Sequence, residues 1–445
     1  MLGLPPRCAP PGGAGKDHPL NASVHQTEHL LFTILLQVIV MIGAARLGNT
    51  LLRRLGQPGV VGEIIAGLVL GPSLFGHFFP EASLWLFGAQ ASAPIVIISQ
   101  IGLILLMFQI GMEFEFGHLR TGRNRRAVAA ITVASIGVPF ALGLWIGRAS
   151  ATTLAPGIDP VVYGLFCGVG LAITAVPILG RILREYGLTR TEVGVVAISA
   201  AAVNDVVGWV LLAGVSAYAT AHFSSGRIAL QVGGLLLFVA ALWWLLRPLV
   251  ARMITAWPLR EGELRPNLMA TVICLMFATG ICTYRLGIFA IFGGFAAGLL
   301  FHRYDAFVAA WRRQVGQFVL VFFLPVFFTF TGLRTNVLGL SSGSDLTWLA
   351  LILAAAILGK VIPVYLASRL SGFSASQSWV LGSLMNTRAL MELIVLNIGL
   401  DLGFIPQKVF TMLVLMAVVT TVMTGPLLKV LLPRTGHVVP VGIEA

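Results

Sequence analysis

Charged residues are scarce in this sequence. They make up 10% of its 445 residues, where a soluble chain carries about 25%. Acids are the scarcer sign, with 17 Asp+Glu against 29 Lys+Arg. With 57% hydrophobic residues and a mean hydropathy of +0.93, water cannot be the main solvent. A single soluble core is also excluded by size, because cores stop growing at about 250–300 residues. Cysteine is nearly absent. The four present, Cys8, Cys167, Cys274 and Cys282, show no CxxC or Cys/His ligand spacing, and three fall in apolar segments where a thiol acts as a small hydrophobe. No disulfide framework or resident metal site is expected. HExxH and GxGD patterns are missing as well, so neither an enzyme nor a cofactor is expected. The net charge of +12 does not indicate nucleic acid, because no basic run lies beside an exposed aromatic platform.

What the chain does have is a series of apolar stretches of membrane-spanning length, roughly 20 residues each. They lie near 30–50, 58–76, 93–113, 127–147, 161–182, 192–219, 228–250, 267–284, 287–302, 314–333, 346–370, 376–400 and 408–432. Residues 1–29 read as a disordered polar tail rather than a signal peptide, and 433–445 as a short tail. The expected fold is an all-α polytopic membrane protein of about 13 transmembrane helices. An odd number of spans puts the termini on opposite sides. With the N-terminus outside and the C-terminus inside, 20 of the 29 basic residues fall on inner loops and the inner tail, seven on outer segments and two within spans. That bias follows the positive-inside rule.

An internal repeat refines this architecture. Ala66-Gly67-Leu68 in segment 2 matches Ala297-Gly298-Leu299 in segment 9, and Gly111 near the end of segment 3 matches Gly332 in segment 10. Ile173-Thr174-Ala175 in segment 5 corresponds to Asn386-Thr387-Arg388 in segment 12. The matches keep their order and stand seven segments apart, so the second copy crosses in the opposite sense. Inverted repeats of this kind are typical of secondary transporters, whose sites lie near the midplane at the repeat interface.

Asp205, beside Asn204, reads as the only acidic residue near the centre of any span. Carboxylates in hydrocarbon are costly and mark ion paths or proton relays. The alternative is a structural Asp hydrogen-bonded between helices. Such a group resists being bare, so it holds either a proton or a cation, and Asn204 could add an amide oxygen. Thr174 lies three residues before Pro177, which removes a helix hydrogen bond and strains the carbonyl of Ile173. Freed carbonyls and a hydroxyl are hard ligands for Na⁺ or K⁺, although an ordinary kink would look the same. Asn386 and Thr387 interrupt segment 12 at the matching position, and paired interruptions point to a transport site. Lys360 is too deep in its span to snorkel and needs an acceptor such as a broken-helix carbonyl. Arg388 and Glu392, spaced i,i+4, are expected to pair locally in a structural role. Glu63 reads as interfacial.

These strings also resemble a known family. Gln57 to Gly67, Leu70-Gly71-Pro72-Ser73-Leu74, Ile173 to Leu179, Asn204-Asp205, Gly332-Leu333-Arg334-Thr335, Asn386-Thr387-Arg388 and Glu392 to Gly399 together resemble the monovalent cation:proton antiporter-2 family, closest to its Kef-type and plant exchanger-like members. The resemblance spans about 30–432, a sodium/hydrogen exchanger membrane domain. It implies a homodimer, with a scaffold and dimer part near 30–113 and 267–333, an ion-translocating core near 127–219 and 346–432, and a linker helix at 228–250. It implies that segments 5 and 12 are crossed discontinuous helices, that Asp205 binds both cation and proton, that Lys360 is the basic residue beside the site, and that the core moves as an elevator.

The chain departs from the family in two ways. Electrogenic relatives carry two adjacent acids, whereas Asn204 precedes Asp205 here, so electroneutral exchange of Na⁺ or K⁺ for H⁺ is the first reading. Lys360 stands where Asn-Asp relatives often have arginine, which leaves the stoichiometry open. Many Kef-type proteins add a nucleotide-binding domain that is not expected here. The substrates read as Na⁺ or K⁺ and H⁺, and the location as a bacterial inner membrane. The competing classes are a Kef-type K⁺ efflux channel, which would lack any TVGYG-like filter, and a transport-dead sensor.

Overall fold

The computed structural model describes residues 19–88, 93–113, 122–220, 225–286, 289–388 and 390–436. Residues 1–18 and 437–445, to which most of the two expected tails belong, lie outside the described residues, as does Ala389, which follows the Asn386-Thr387-Arg388 motif. Among the described residues, the regular secondary structure is helical apart from one isolated bridge at Arg260–Glu263.

Leaving aside the short helices Phe75–Phe78 and Pro80–Phe87, the helices are α1 (Pro19–Arg54), α2 (Gly59–Leu70), α3 (Ala93–Met112), α4 (Gly122–Leu154), α5 (Pro160–Ala172), α6 (Val176–Glu185) and α7 (Glu192–Thr220). α8 runs over Ser225–Ala241 and passes through a π turn at Leu242–Leu246 into Arg247–Ala256. Then come α9 (Pro266–Arg285), α10 (Ala290–Phe301) and α11, which starts at Asp305–Trp311 and reaches Leu324–Leu333 through two π turns. The last four are α12 (Gly343–Leu370), α13 (Ala375–Met385), α14 (Leu390–Asp401) and α15 (Gln407–Leu431). Among the described residues, ten helices are long and apolar enough to cross a membrane. There are eleven if the two parts of α11, bent by 43°, count as one span. α1 begins at Pro19, so residues 19–29 are helical, not the disordered tail read from their polarity.

Buried fraction orders the helices from periphery to centre. In the span that joins α13 and α14, 94% of the most apolar window is buried, against 6% for α8. Hence α13–α14 lie at the middle and α8 at the rim. Pro139, Pro363 and Pro426 lie inside long helices, which membrane helices tolerate because neighbours satisfy the freed backbone groups.

The inverted repeat is built from matched glycine contacts. Apolar helices gain no hydrophobic drive towards one another in lipid, so small residues that let backbones touch do much of the packing. A Cβ on Gly67 of α2 would strike the Phe328 carbonyl of α11, and one on Gly332 of α11 would strike the backbone of Gly67. Likewise a Cβ on Gly298 of α10 would strike the Phe108 carbonyl of α3, and one on Gly111 of α3 would strike the carbonyl of Phe295 on α10. The second contact is the first with the repeats exchanged. α1 and α2 touch at Gly48 and Gly62, and α9 and α10 touch at Gly280 and Gly293 in the same way.

Candidate functional site

Two helices break opposite each other. Pro177, the second residue of α6, carries no N–H, so the ladder of α5 cannot run through it. α5 stops at Ala172, and Ile173 and Ala175 are extended, with ψ of 145° and 103°. Facing them, α13 ends at Met385 and the chain unwinds over Asn386–Arg388 before α14. The unwound stretches bond to each other. The Ala175 N–H donates to the Thr387 carbonyl at 3.1 Å, and the Thr174 hydroxyl donates to the Met385 carbonyl at 3.0 Å.

Broken helices expose carbonyls at one end and N–H groups at the other, with half-dipoles of matching sign. The side chains around the crossing answer those signs. Lys360 of α12, fully buried, donates its ammonium to the Ala172 carbonyl at the negative end of α5. Arg388 reaches the same end through Nη1 on the Gly170 carbonyl at 3.0 Å, while its Nη2 meets the Ala356 carbonyl of α12 at 3.3 Å. Its own N–H donates to the Thr421 hydroxyl at 3.3 Å. Glu392, in the first turn of α14, lies at the positive end of that helix, its Oε2 3.8 Å from Arg388 Nη1.

Asp205 of α7 is 2% exposed and faces the Val176 N–H at the start of α6, short of hydrogen-bonding geometry. Neither of its oxygens has a hydrogen-bond partner. Asn204 donates through Nδ2 to the hydroxyls of Ser135 at 3.0 Å and Thr174 at 3.4 Å, which leaves its Oδ1 without a donor. The Thr387 hydroxyl and Asn386 Oδ1 are buried and unpartnered too. Asn386 Nδ2 meets Met423 Sδ at 3.6 Å.

Of the residues singled out from the sequence, all but Glu63 are on or beside this crossing. Lys360 donates to a broken-helix carbonyl, and its charge also acts on Asp205 without a direct salt bridge between them. The carbonyls of α5 that take up the basic side chains belong to Gly170 and Ala172. Two readings need correction. Glu392 is fully buried beside Arg388 and within electrostatic range of Lys360, so Asp205 is not the lone deep acid. Glu63 is also buried, at 3% exposure, accepts from Asn49 Nδ2 at 2.7 Å and lies 3.9 Å from Arg46. Close packing of α1 on α2 through Gly48 and Gly62 encloses it. Ser135 and Thr421 also serve the site, and nothing in their apolar surroundings singles them out among many buried hydroxyls.

A crossing of unwound helices around an unpartnered carboxylate suits ion transport, and comparison with known proteins decides the family. The model of the sodium/hydrogen exchanger transmembrane family matches residues 38–434. The chain belongs to that family. It is 35% identical over 418 residues to the Na⁺/H⁺ antiporter NhaS4 of Synechocystis, covering 92% of this chain and 99% of that protein. It is 36% identical over 405 residues to cation/H⁺ antiporter 17 of Arabidopsis thaliana, 90% of this chain but 48% of that protein. Among solved structures, the sodium proton antiporter MjNhaP1 of Methanocaldococcus jannaschii shares the fold at a TM-score of 0.60 and 16% identity, over 90% of this chain and 97% of that one. The sodium/hydrogen exchanger here is therefore an integral multi-pass membrane protein and a secondary active cation/proton antiporter, not a catalytic enzyme.

Proposed function

We propose that the chain exchanges one monovalent cation, Na⁺ or K⁺, for one proton at Asp205. One observation carries the reading: a buried carboxylate with no donor in hydrogen-bonding geometry at either oxygen, set where two helices unwind. A bare charge there is costly, so the group holds a proton or a cation and exchanges one for the other. Thr174 and Asn204 order the cation side of the site, with the free oxygens of Asn204 and Thr387 supplementing the carboxylate. Lys360 and Arg388 are already engaged on carbonyls of α5, which favours a structural duty and electroneutral exchange.

On this reading the thirteen segments all span, α5–α6 and α13–α14 each counting once, with the N-terminus outside. α1–α3 and α9–α11 form the scaffold of a homodimer, and α4–α7 with α12–α15 form a core that slides as an elevator, joined by α8. The name of NhaS4 favours Na⁺, and a bacterial plasma membrane is the setting. The test is proton flux in proteoliposomes with Na⁺, K⁺ and Li⁺ varied, with and without a clamped potential. Cation-dependent flux indifferent to the clamp supports the reading. Flux that follows the potential overturns electroneutrality, and flux without proton coupling overturns antiport.

A further inference from the structure

Away from the crossing, α7, α8 and α10 enclose a groove of about 680 Å³ that the ion site does not use. Its walls are apolar: Trp209 and Gly214 of α7, Phe238 and Trp243 of α8, Phe292 and Leu299 of α10. One end is different. There Arg247, His302, Arg303 and Tyr304 line the opening, and no acidic side chain is among the described residues that line the groove. The Arg247 guanidinium lies 4.5 Å from the centre of the Trp243 ring, which holds the cation at the mouth. Arg303 is exposed and donates through Nε to His302 Nε2 at 3.4 Å, so its terminal nitrogens are left for a ligand.

We propose that this groove is a binding site for an anionic phospholipid, with its phosphate between Arg247 and Arg303 and an acyl chain along α10. Length fits. From Arg303 back to Phe292, where that ring meets Trp209 edge-on at 4.8 Å and closes the deep end, the helical rise gives about 16 Å. That is half of the roughly 30 Å hydrocarbon core, one leaflet. Charge fits as well, because paired guanidinium groups match a phosphate diester and find nothing in a zwitterionic headgroup that its own ammonium does not offset. α8, 6% buried and otherwise facing outward, leaves the groove open to the bilayer along its side. The occupant bridges α7 to α8 and α10, so any shift of α7 against α10 must displace or deform it.

Native mass spectrometry of the purified protein, with equimolar phosphatidylglycerol and phosphatidylcholine added, tests this. Wild type should retain one phosphatidylglycerol per protomer, in at least about tenfold preference over phosphatidylcholine, worth about 1.4 kcal/mol. R247Q/R303Q should lose that preference. R53Q/R54Q, which removes the same charge from the exposed end of α1, should keep it. Gly214→Leu provides a check that spares the basic mouth: a Cβ there meets nothing within 4 Å, so the leucine fills the groove without a backbone clash and should expel the lipid. Equal retention of the two lipids by wild type, or unchanged retention in R247Q/R303Q or Gly214→Leu, overturns the proposal. So does a V239C variant that cross-links between protomers in full yield, which would show a second copy seated on the groove.

Discussion

The two repeats of this protein pack alike and are charged differently. Gly67 against α11 in one has its counterpart in Gly298 against α3 in the other, and the unwound stretches at Thr174 and Thr387 lie across from each other. Charge breaks the symmetry. Asp205 comes from the first repeat, whereas Lys360, Arg388 and Glu392 all come from the second. α15, the second repeat's counterpart of α7, offers the buried threonines Thr420, Thr421 and Thr424 and no acid. Backbone symmetry therefore builds the crossing, while unequal charge makes it a site whose basic side chains are engaged on protein carbonyls and whose Asp205 carboxylate is not hydrogen-bonded by the protein.

The sharpest way to break the comparison is to remove its acid. Asp205→Asn should reduce cation-evoked proton flux in proteoliposomes to background while leaving the elution profile and Tm near wild type, because an amide is at home where an uncharged group is tolerated. Activity equal to wild type would end the assignment. Next is the basic side. Arg388→Met strands the Gly170 carbonyl at the end of α5 and leaves Glu392 buried without its partner, a loss of about 3–5 kcal/mol, read as a lower Tm in detergent. Lys360→Met strands only the Ala172 carbonyl and should cost about 1–3 kcal/mol, with Lys360→Arg recovering part of it. If Lys360→Met were as stable as wild type, the ammonium would not be the cap of α5.

Smaller effects test the symmetry itself. Gly67→Ala and Gly298→Ala overpack equivalent contacts and should each cost about 1–3 kcal/mol, equal within the scatter of thermal melts and without altering cation affinity. Clearly unequal losses would mean the two contacts are not equivalent. Smallest is the threonine pair. Thr174→Val loses a hydroxyl bonded on both sides and should cost about 0.5–1.5 kcal/mol. Thr387→Val removes an unpartnered hydroxyl and should leave stability unchanged, so a raised KM for the cation in that variant would mark the hydroxyl as a ligand.

Much of this was legible in the chain. Hydrocarbon makes every deep charge expensive, so Asp205, Lys360, Arg388 and Glu392 stand out in a sequence that is 10% charged. Repeat matches seven segments apart announced the inverted architecture. The burial of Glu63 was not legible, because burial depends on which helix lies alongside, and hydropathy along one helix does not report it. Ser135 and Thr421 were invisible because a hydroxyl among apolar residues looks identical whether or not it faces a partner.

The sequence by itself determined that the chain lives in a membrane, that it carries two related halves, and which few ionisable groups lie inside, because solvent cost acts on each residue separately. Only the tertiary structure decided what those groups do. Lys360 meets a carbonyl 188 residues away and Arg388 one 218 residues away. Those meetings exist because glycines let the helices close up and because unwinding of α5 leaves carbonyls that its own turns no longer satisfy.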